Sequence, residues 1–175
     1  MELLIKKIYE VFQANQAVFL QAGLEPVQTI DLFRDQPLNP EAFEYFATPA
    51  LFLGFAINWE RNGHNYTGKA VLDVHVVIDS PFDGVANNFT NHEEALKKVF
   101  YYKIVKAVLD NLESAETNKL IRASERPVDT GVIVYNIISY ECNIYDAQRI
   151  GSNNIMVGDA IVAITGKQLV KELPQ

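Results

Sequence analysis

Two segments of the chain alternate between apolar and polar positions with the two-residue period of a β-strand. In residues 49–59 the odd-numbered positions are all apolar from Leu51 onward, and in residues 69–78 the apolar positions are mainly even-numbered. Such alternation is typical of half-buried antiparallel strands. Asn62 and Gly63 favour a tight turn, because both residues accept positive φ angles. We therefore predict a long β-hairpin.

Two other segments have the 3.6-residue period of amphipathic helices. Residues 3–15 carry the first apolar stripe, and a continuation of this helix would stop at Gly23, which tolerates a left-handed C-cap. Residues 93–112 carry the second stripe, after a capping-box pattern at Thr90 and Glu93. The positions of the second stripe are Leu96, Val99, Phe100, Ile104, Ala107, Val108 and Leu112.

Further strands follow the second helix. Residues 120–126 predict a short strand, and residues 131–145 predict a long one whose first half is apolar on both faces. A strand of that kind is covered on both sides. The predicted class is therefore α+β, with a mainly antiparallel sheet packed against an N-terminal helix and one central amphipathic helix.

The predicted domain covers residues 1–147 and contains an insert with little periodicity at 24–48. Prolines punctuate this insert, and its aromatic residues indicate that it packs either on its own core or on a partner subunit. Residues 148–175 form a C-terminal extension with short apolar runs. They either add an edge strand to the same sheet or reach a neighbour as an arm.

Composition narrows the class of protein. The chain has 175 residues, a net charge of −7 and a single cysteine. The chain is acidic, and its pairs of neighbouring basic residues lie beside acidic ones. This argues against broad nucleic-acid binding, which needs clustered lysine and arginine. Charged and apolar positions interleave at the start, and no apolar run reaches 18 residues, so we expect neither a secretory leader nor a membrane span.

The residues predict no catalytic, cofactor-binding or metal site. His64, His75 and His92 have no partner at metal-ligand spacing, and no glycine-rich phosphate loop occurs. His75 with Asp73 is the nearest approach to a site. The pair could orient an imidazole for acid–base work, but we expect a solvated surface pair. Cys142 lies on the apolar face of its strand and is expected to be a buried thiol.

The order of these elements resembles a known family. Residues 48–53 (TPALFL) open the first strand, residues 67–78 form the second, and residues 126–131 (RPVDTG) lead into the last strand after the helix at 95–112. In this order the chain resembles the tail-terminator and tail-completion proteins, which are neck components of long-tailed bacteriophages.

The resemblance implies a virion structural protein, assembled in the host cytoplasm, that forms a homo-oligomeric ring, commonly a hexamer. Such a ring ends the tail tube, joins tail to head, and contacts other virion proteins while DNA passes through its lumen without sequence-specific binding. It implies no catalytic residues and no cofactor. A ring subunit needs surfaces for its neighbours, and the hairpin, the aromatic-rich insert and the C-terminal extension could supply them. The candidate interface residues are Trp59, Asn62, Gly63, His64, Phe33, Phe43, Tyr45, Ile161 and Val162.

Two alternatives stay open, and the second belongs to another class. One is a different assembly component, such as a head–tail adaptor or a baseplate part, which would share the apolar surfaces of a ring subunit. The other is a small α+β enzyme or ligand-binding protein centred on His75 and Asp73. A stable ring in solution favours assembly, whereas a monomer with a histidine-lined pocket favours the enzyme.

Overall fold

A computed structural model describes residues 1–39, 46–62, 65–78, 92–130, 134–145, 155–157 and 160–162. The chain divides into two compact units, Met1–Tyr145 and Asp146–Gln175. The first unit contains α1 (Glu2–Ala14), α2 (Gln16–Gln21), β1 (Thr29–Leu32), β2 (Ala50–Asn62), β3 (Asn65–Val77), α3 (His92–Leu109), β4 (Ile121–Asp129) and β5 (Val134–Tyr145). The second contains β6 (Ile155–Val157) and β7 (Ala160–Val162).

The first unit is built on a five-stranded sheet with the strand order β1-β2-β3-β5-β4. Strand β1 runs parallel to β2, and every other neighbouring pair in this sheet is antiparallel. The predicted α+β class is confirmed, with the N-terminal and central helices in their predicted order. The hairpin is longer than predicted, because its strands pair as far as Asn62 and Asn65.

The N-terminal helices end where their residues favour an end. Leu4, Ile8 and Phe12 are the buried positions of α1, which follows its predicted stripe. Helix α1 stops before Asn15, whose side-chain amide donates to the Val11 carbonyl at 2.7 Å. Helix α2 continues to Gln21, and Gly23 then adopts a φ of 67°. The predicted stop at Gly23 is confirmed.

Both faces of the sheet carry apolar clusters, as the parity of the strands predicts. The larger cluster lies under the helices and takes odd positions of β2, such as Leu51, and even positions of β3 and β5. The smaller cluster lies on the other face. Its buried members are Ala50, Phe52, Val77, Tyr135 and Ile137, with Phe33, Phe46 and Val128 packed against them. The prediction that the first half of β5 is covered on both sides is therefore confirmed.

Strand β1 lies within the insert, where the sequence predicts no strand. It has four residues and no alternating pattern. Its place is fixed by backbone hydrogen bonds to β2: the amide of Gln28 donates to the Pro49 carbonyl at 2.8 Å, and that of Phe33 donates to the Leu53 carbonyl at 2.9 Å. Backbone pairing of this kind leaves no periodic signal in the side chains.

The buried face of α3 differs from the predicted stripe. Tyr101, Ile104, Val105 and Leu109 are buried. In contrast, three members of the predicted stripe are about half exposed or more: Leu96, Val99 and Phe100. The prediction was wrong in the first half of the helix because Leu96, Val99 and Phe100 form an apolar face on the side opposite the buried residues. Their spacing marks an apolar face, but it does not show which face of the helix meets this core. The ring of Tyr101 instead meets that of Phe19 at a centroid distance of 5.1 Å.

The second unit corrects another expectation. Strands β6 and β7 pair antiparallel with each other, Ile155 opposite Val162, and neither belongs to the five-stranded sheet. The expected extra edge strand on that sheet is therefore wrong for the described residues. Pairing between runs separated by two residues closes a far shorter loop than pairing with a distant strand. The alternative, an arm that reaches a neighbouring subunit, stays a prediction.

Candidate assembly interface

The hairpin of β2 and β3 extends past its neighbours in the sheet. Strand β5 pairs with β3 only as far as Tyr145, opposite Thr67. Strand β1 pairs with β2 only as far as Leu53. Within the described ranges, no strand pairs with the outer edge of β2 over residues 54–62. We call this segment the open edge.

Hydrogen bonds at the start of β2 show which backbone groups face outward. The carbonyls of Pro49 and Leu53 accept bonds from the β1 side. Both residues are odd-numbered, and the N–H and C=O of alternate residues in a strand point to the same side. The backbone N–H and C=O of Phe55, Ile57 and Trp59 therefore point away from β3, along the open edge.

Trp59 is the exposed aromatic residue of this segment, and its side chain is 49% exposed. It lies opposite Gly68 on β3, and a Cβ atom at Gly68 would come within 2.9 Å of the indole ring and of the Ile57 side chain. The indole therefore covers the glycine closely. Beyond it, Lys69 Nζ and Glu60 Oε1 form an exposed ion pair at 3.2 Å.

The other candidate interface residues have different positions. Asn62 closes the ladder opposite Asn65. Ile161 and Val162 lie in β7, where Val162 pairs with Ile155. Phe33 packs against the second face of the sheet, and so does Phe46, whose ring meets that of Phe52 edge-on at 4.9 Å. Four of the candidate interface residues lie outside the described residues: Gly63, His64, Phe43 and Tyr45.

His75 occupies a site that the sequence does not predict. It is 6% exposed, and its ring stacks on Phe33 at 3.7 Å and lies 5.6 Å from the ring of Tyr135. The expected solvated pair with Asp73 is wrong, because His75 faces a side of the sheet that the insert covers. The Asp73 carboxylate instead accepts a hydrogen bond from Ser139 Oγ at 2.6 Å.

The electrostatics of His75 favour a neutral ring. Burial lowers its pKa to about 4, since the imidazolium loses hydration. The charges of Asp73 and Asp35 oppose this shift, whereas that of Arg126 adds to it. Its Nδ1 atom is buried and has no hydrogen-bond partner within the described part of the chain. The ring acts here as an aromatic core side chain.

A polar cluster joins α3 to the far edge of the sheet. Lys106 Nζ lies 2.8 Å from Glu125 Oε2, and Asn136 Nδ2 donates to Glu125 Oε1 at 2.6 Å. Desolvation by itself would raise the pKa of Glu125. The two hydrogen bonds, together with the charges of Lys106 and Arg122, lower it overall. Sequence spacing does not reveal this cluster, because its members come from three elements.

Large apolar side chains are exposed on the helical layer as well. The exposed members on α1 and α2 are Leu3, Tyr9, Val18 and Leu20. On α3 they are Leu96, Val99 and Phe100. An open groove of about 500 Å³ follows the outer side of α1, with Ile5, Lys6 and Tyr9 in its lining.

Groups that would support other functions are few in the described ranges. They contain no cluster of three or more histidine, cysteine, aspartate or glutamate residues that could hold a metal ion. Cys142 is buried as expected, and burial raises the pKa of its thiol. No helix in these ranges has both the length and the apolar character needed to cross a bilayer.

Comparison of the sequence with models of protein families finds no match, and a search of curated proteins finds none either.

Proposed function

We propose that this chain is a structural protein of a bacteriophage neck, of the tail-terminator or tail-completion kind. It forms an oligomeric ring, a hexamer in the favoured form, that terminates the tail tube and joins tail to head. It assembles in the host cytoplasm, resides in the virion, and acts through contacts with other virion proteins rather than through catalysis.

The observation that carries this proposal is the set of large apolar side chains exposed on the helical layer, on α1 and α2 and on α3. Contiguous exposed apolar surface marks protein–protein contacts. A head-to-tail ring needs two different surfaces on each subunit, because its contacts are heterologous.

The order of elements supports the same proposal. An N-terminal helix, a long hairpin, a central helix and a final long strand follow one another in the first unit. This is the order on which the resemblance to neck proteins rests. The net charge of −7 is compatible with a lumen through which DNA passes without adhering.

Native mass spectrometry of the whole chain, followed by negative-stain imaging, tests the ring. We expect a closed oligomer, six times the 19.7 kDa of one chain in the favoured form. Species no larger than a dimer at every soluble concentration, together with no capping of isolated phage tail tubes, would contradict the ring.

A matched pair of variants tests which surface closes the ring. The double substitution Val99→Gln and Phe100→Gln makes the exposed side of α3 polar, and we expect it to abolish the ring without changing the thermal unfolding midpoint. Ala107→Gln, at an exposed position of the same helix, is the control and should leave the ring intact. Equal assembly of both proteins would remove α3 from the contact.

A head–tail adaptor or baseplate component is the second candidate within the same class. The exposed side chains of α3 support it equally, because any assembly contact would use them. The two are distinguished by the neighbour that the ring binds, which is the tail-tube end for a terminator.

A further inference from the structure

We propose that the open edge, residues 54–62 of β2, pairs antiparallel with the same segment of a second copy of this chain. The two five-stranded sheets then form one continuous sheet around a two-fold axis near Asn58. An isologous contact of this type closes at two copies. This contact therefore goes beyond the ring proposed above. It joins two chains, or two rings, while the contacts within one ring use other surfaces.

The length of the open edge makes it complementary to itself. It begins at Gly54, directly after the last position that β1 covers, and ends at Asn62, the last residue before the turn. Antiparallel pairing about Asn58 places Gly54 opposite the partner's Asn62. The described part of the hairpin in one copy therefore ends beside the position where β1 of the other copy ends.

The backbone alternation agrees with this register. Odd-numbered residues direct their N–H and C=O groups outward, so an antiparallel copy must set odd residues opposite odd ones. Pairing about Asn58 does this and brings Ile57 opposite the partner's Trp59. Unpaired strand edges are templates for such addition.

The side chains fit the same register. Phe55, Ile57 and Trp59 share the face that carries the larger apolar cluster. Across the two-fold axis they form one apolar row, which covers the half-exposed indole of Trp59. The charges also agree, since Glu60 faces the partner's Ala56 and Arg61 faces the partner's Phe55. No like charges lie directly opposite one another.

The other edge of the sheet is protected against the same pairing. Strand β4 forms that edge and contains Pro127, which has no N–H to donate. Its charged residues, Arg122, Glu125 and Arg126 among them, further disfavour addition of a strand. Strand β1 is only four residues long. Among the described strands, the open edge of β2 therefore suits a second copy best.

A site-specific disulfide tests the register. In the proposed dimer Asn58 lies opposite the partner's Asn58, at a separation that a disulfide can span. We expect Asn58→Cys to form a covalent dimer under mild oxidation. Glu60→Cys is the control: it points to the same side, but its sulfurs would lie about 13 Å apart, four residues along the strand. Native Cys142 is buried and should not cross-link.

Removal of one outward N–H tests the pairing itself. Trp59→Pro and Trp59→Thr both lose the indole, but only proline also loses the donor. Sedimentation equilibrium should show a dimer dissociation constant at least about ten-fold larger for the proline variant than for the threonine variant. Circular dichroism checks that both variants fold.

Two results would overturn the dimer: equal cross-linking of Asn58→Cys and Glu60→Cys, or no dimer in the unmodified protein at any concentration. A dimer without a ring would contradict the neck proposal and leave this inference standing. A ring in which Asn58→Cys does not cross-link would contradict the dimer and leave the neck proposal standing.

Discussion

The environment of His75 makes the free energy of unfolding depend on pH. Its pKa is about 4 in the folded chain, against about 6.5 in an unfolded one. Below pH 6.5 the unfolded chain therefore binds the extra proton more readily. The contribution of the neutral His75 ring to the free energy of unfolding is therefore present in full above pH 6.5. It is lost as the pH falls from 6.5 towards 4.

We expect the free energy of unfolding to fall by about 1–3 kcal/mol over that window because of this one group. His75→Phe keeps an aromatic ring between Phe33 and Tyr135 but cannot titrate, so its unfolding free energy should change much less between pH 6.5 and 5. Urea unfolding at a series of pH values measures the difference. Identical slopes for both proteins would show that another group is responsible.

Gly68 is a residue constrained by its neighbour across the hairpin. A Cβ atom there would lie 2.9 Å from both Ile57 Cγ2 and Trp59 Cζ3, so the indole must move. We expect Gly68→Ala to destabilise the fold by about 1–2 kcal/mol and to shift the fluorescence of the single tryptophan. Urea unfolding followed by that fluorescence measures both effects.

Gly54 provides the matched control on the same hairpin. Its added Cβ would meet no atom nearer than 3.7 Å, which is ordinary contact. We expect Gly54→Ala to change the free energy of unfolding by less than about 0.5 kcal/mol. A cost at Gly54 as large as that at Gly68 would show that the indole does not constrain the position.

At the scale of elements, the cluster of Lys106, Glu125 and Asn136 fixes α3 to β4 and β5. Glu125→Gln removes the charge that Lys106 faces, and the Lys106 side chain is only 18% exposed. We expect a loss of about 0.5–1.5 kcal/mol in thermal or urea unfolding. Glu60→Gln breaks an ion pair whose partners are both about two-thirds exposed and should cost less than about 0.5 kcal/mol. Equal losses would show that burial does not strengthen the α3 contact.

The elements also show what the sequence could predict. Helix α1, the hairpin and β5 have periods that match their buried faces, because each packs one side against the same core. Strand β1 is held in place mainly by backbone bonds, and the apolar stripe in the first half of α3 lies on the exposed side of the helix. The open edge could not be predicted, since it depends on where β1 stops. The burial of His75 likewise depends on Phe33, which comes from a segment without periodicity.

At the scale of the whole molecule, the described interactions of the sheet are confined to the first unit. All five strands and both apolar clusters come from residues before 146. A chain truncated after residue 147 should therefore keep its cooperative thermal unfolding, with a midpoint within a few degrees of the full chain. A broad, non-cooperative transition would show that the first unit needs the extension to fold.

Assembly of that truncated chain separates two roles for residues 148–175. If the extension is an arm that reaches a neighbouring subunit, the truncated chain should fold normally and yet lose the ring in native mass spectrometry. The dimer proposed for the open edge should persist, because residues 54–62 lie wholly in the first unit. A ring that survives truncation would assign its contacts to the exposed side chains of the helices and remove the arm from assembly.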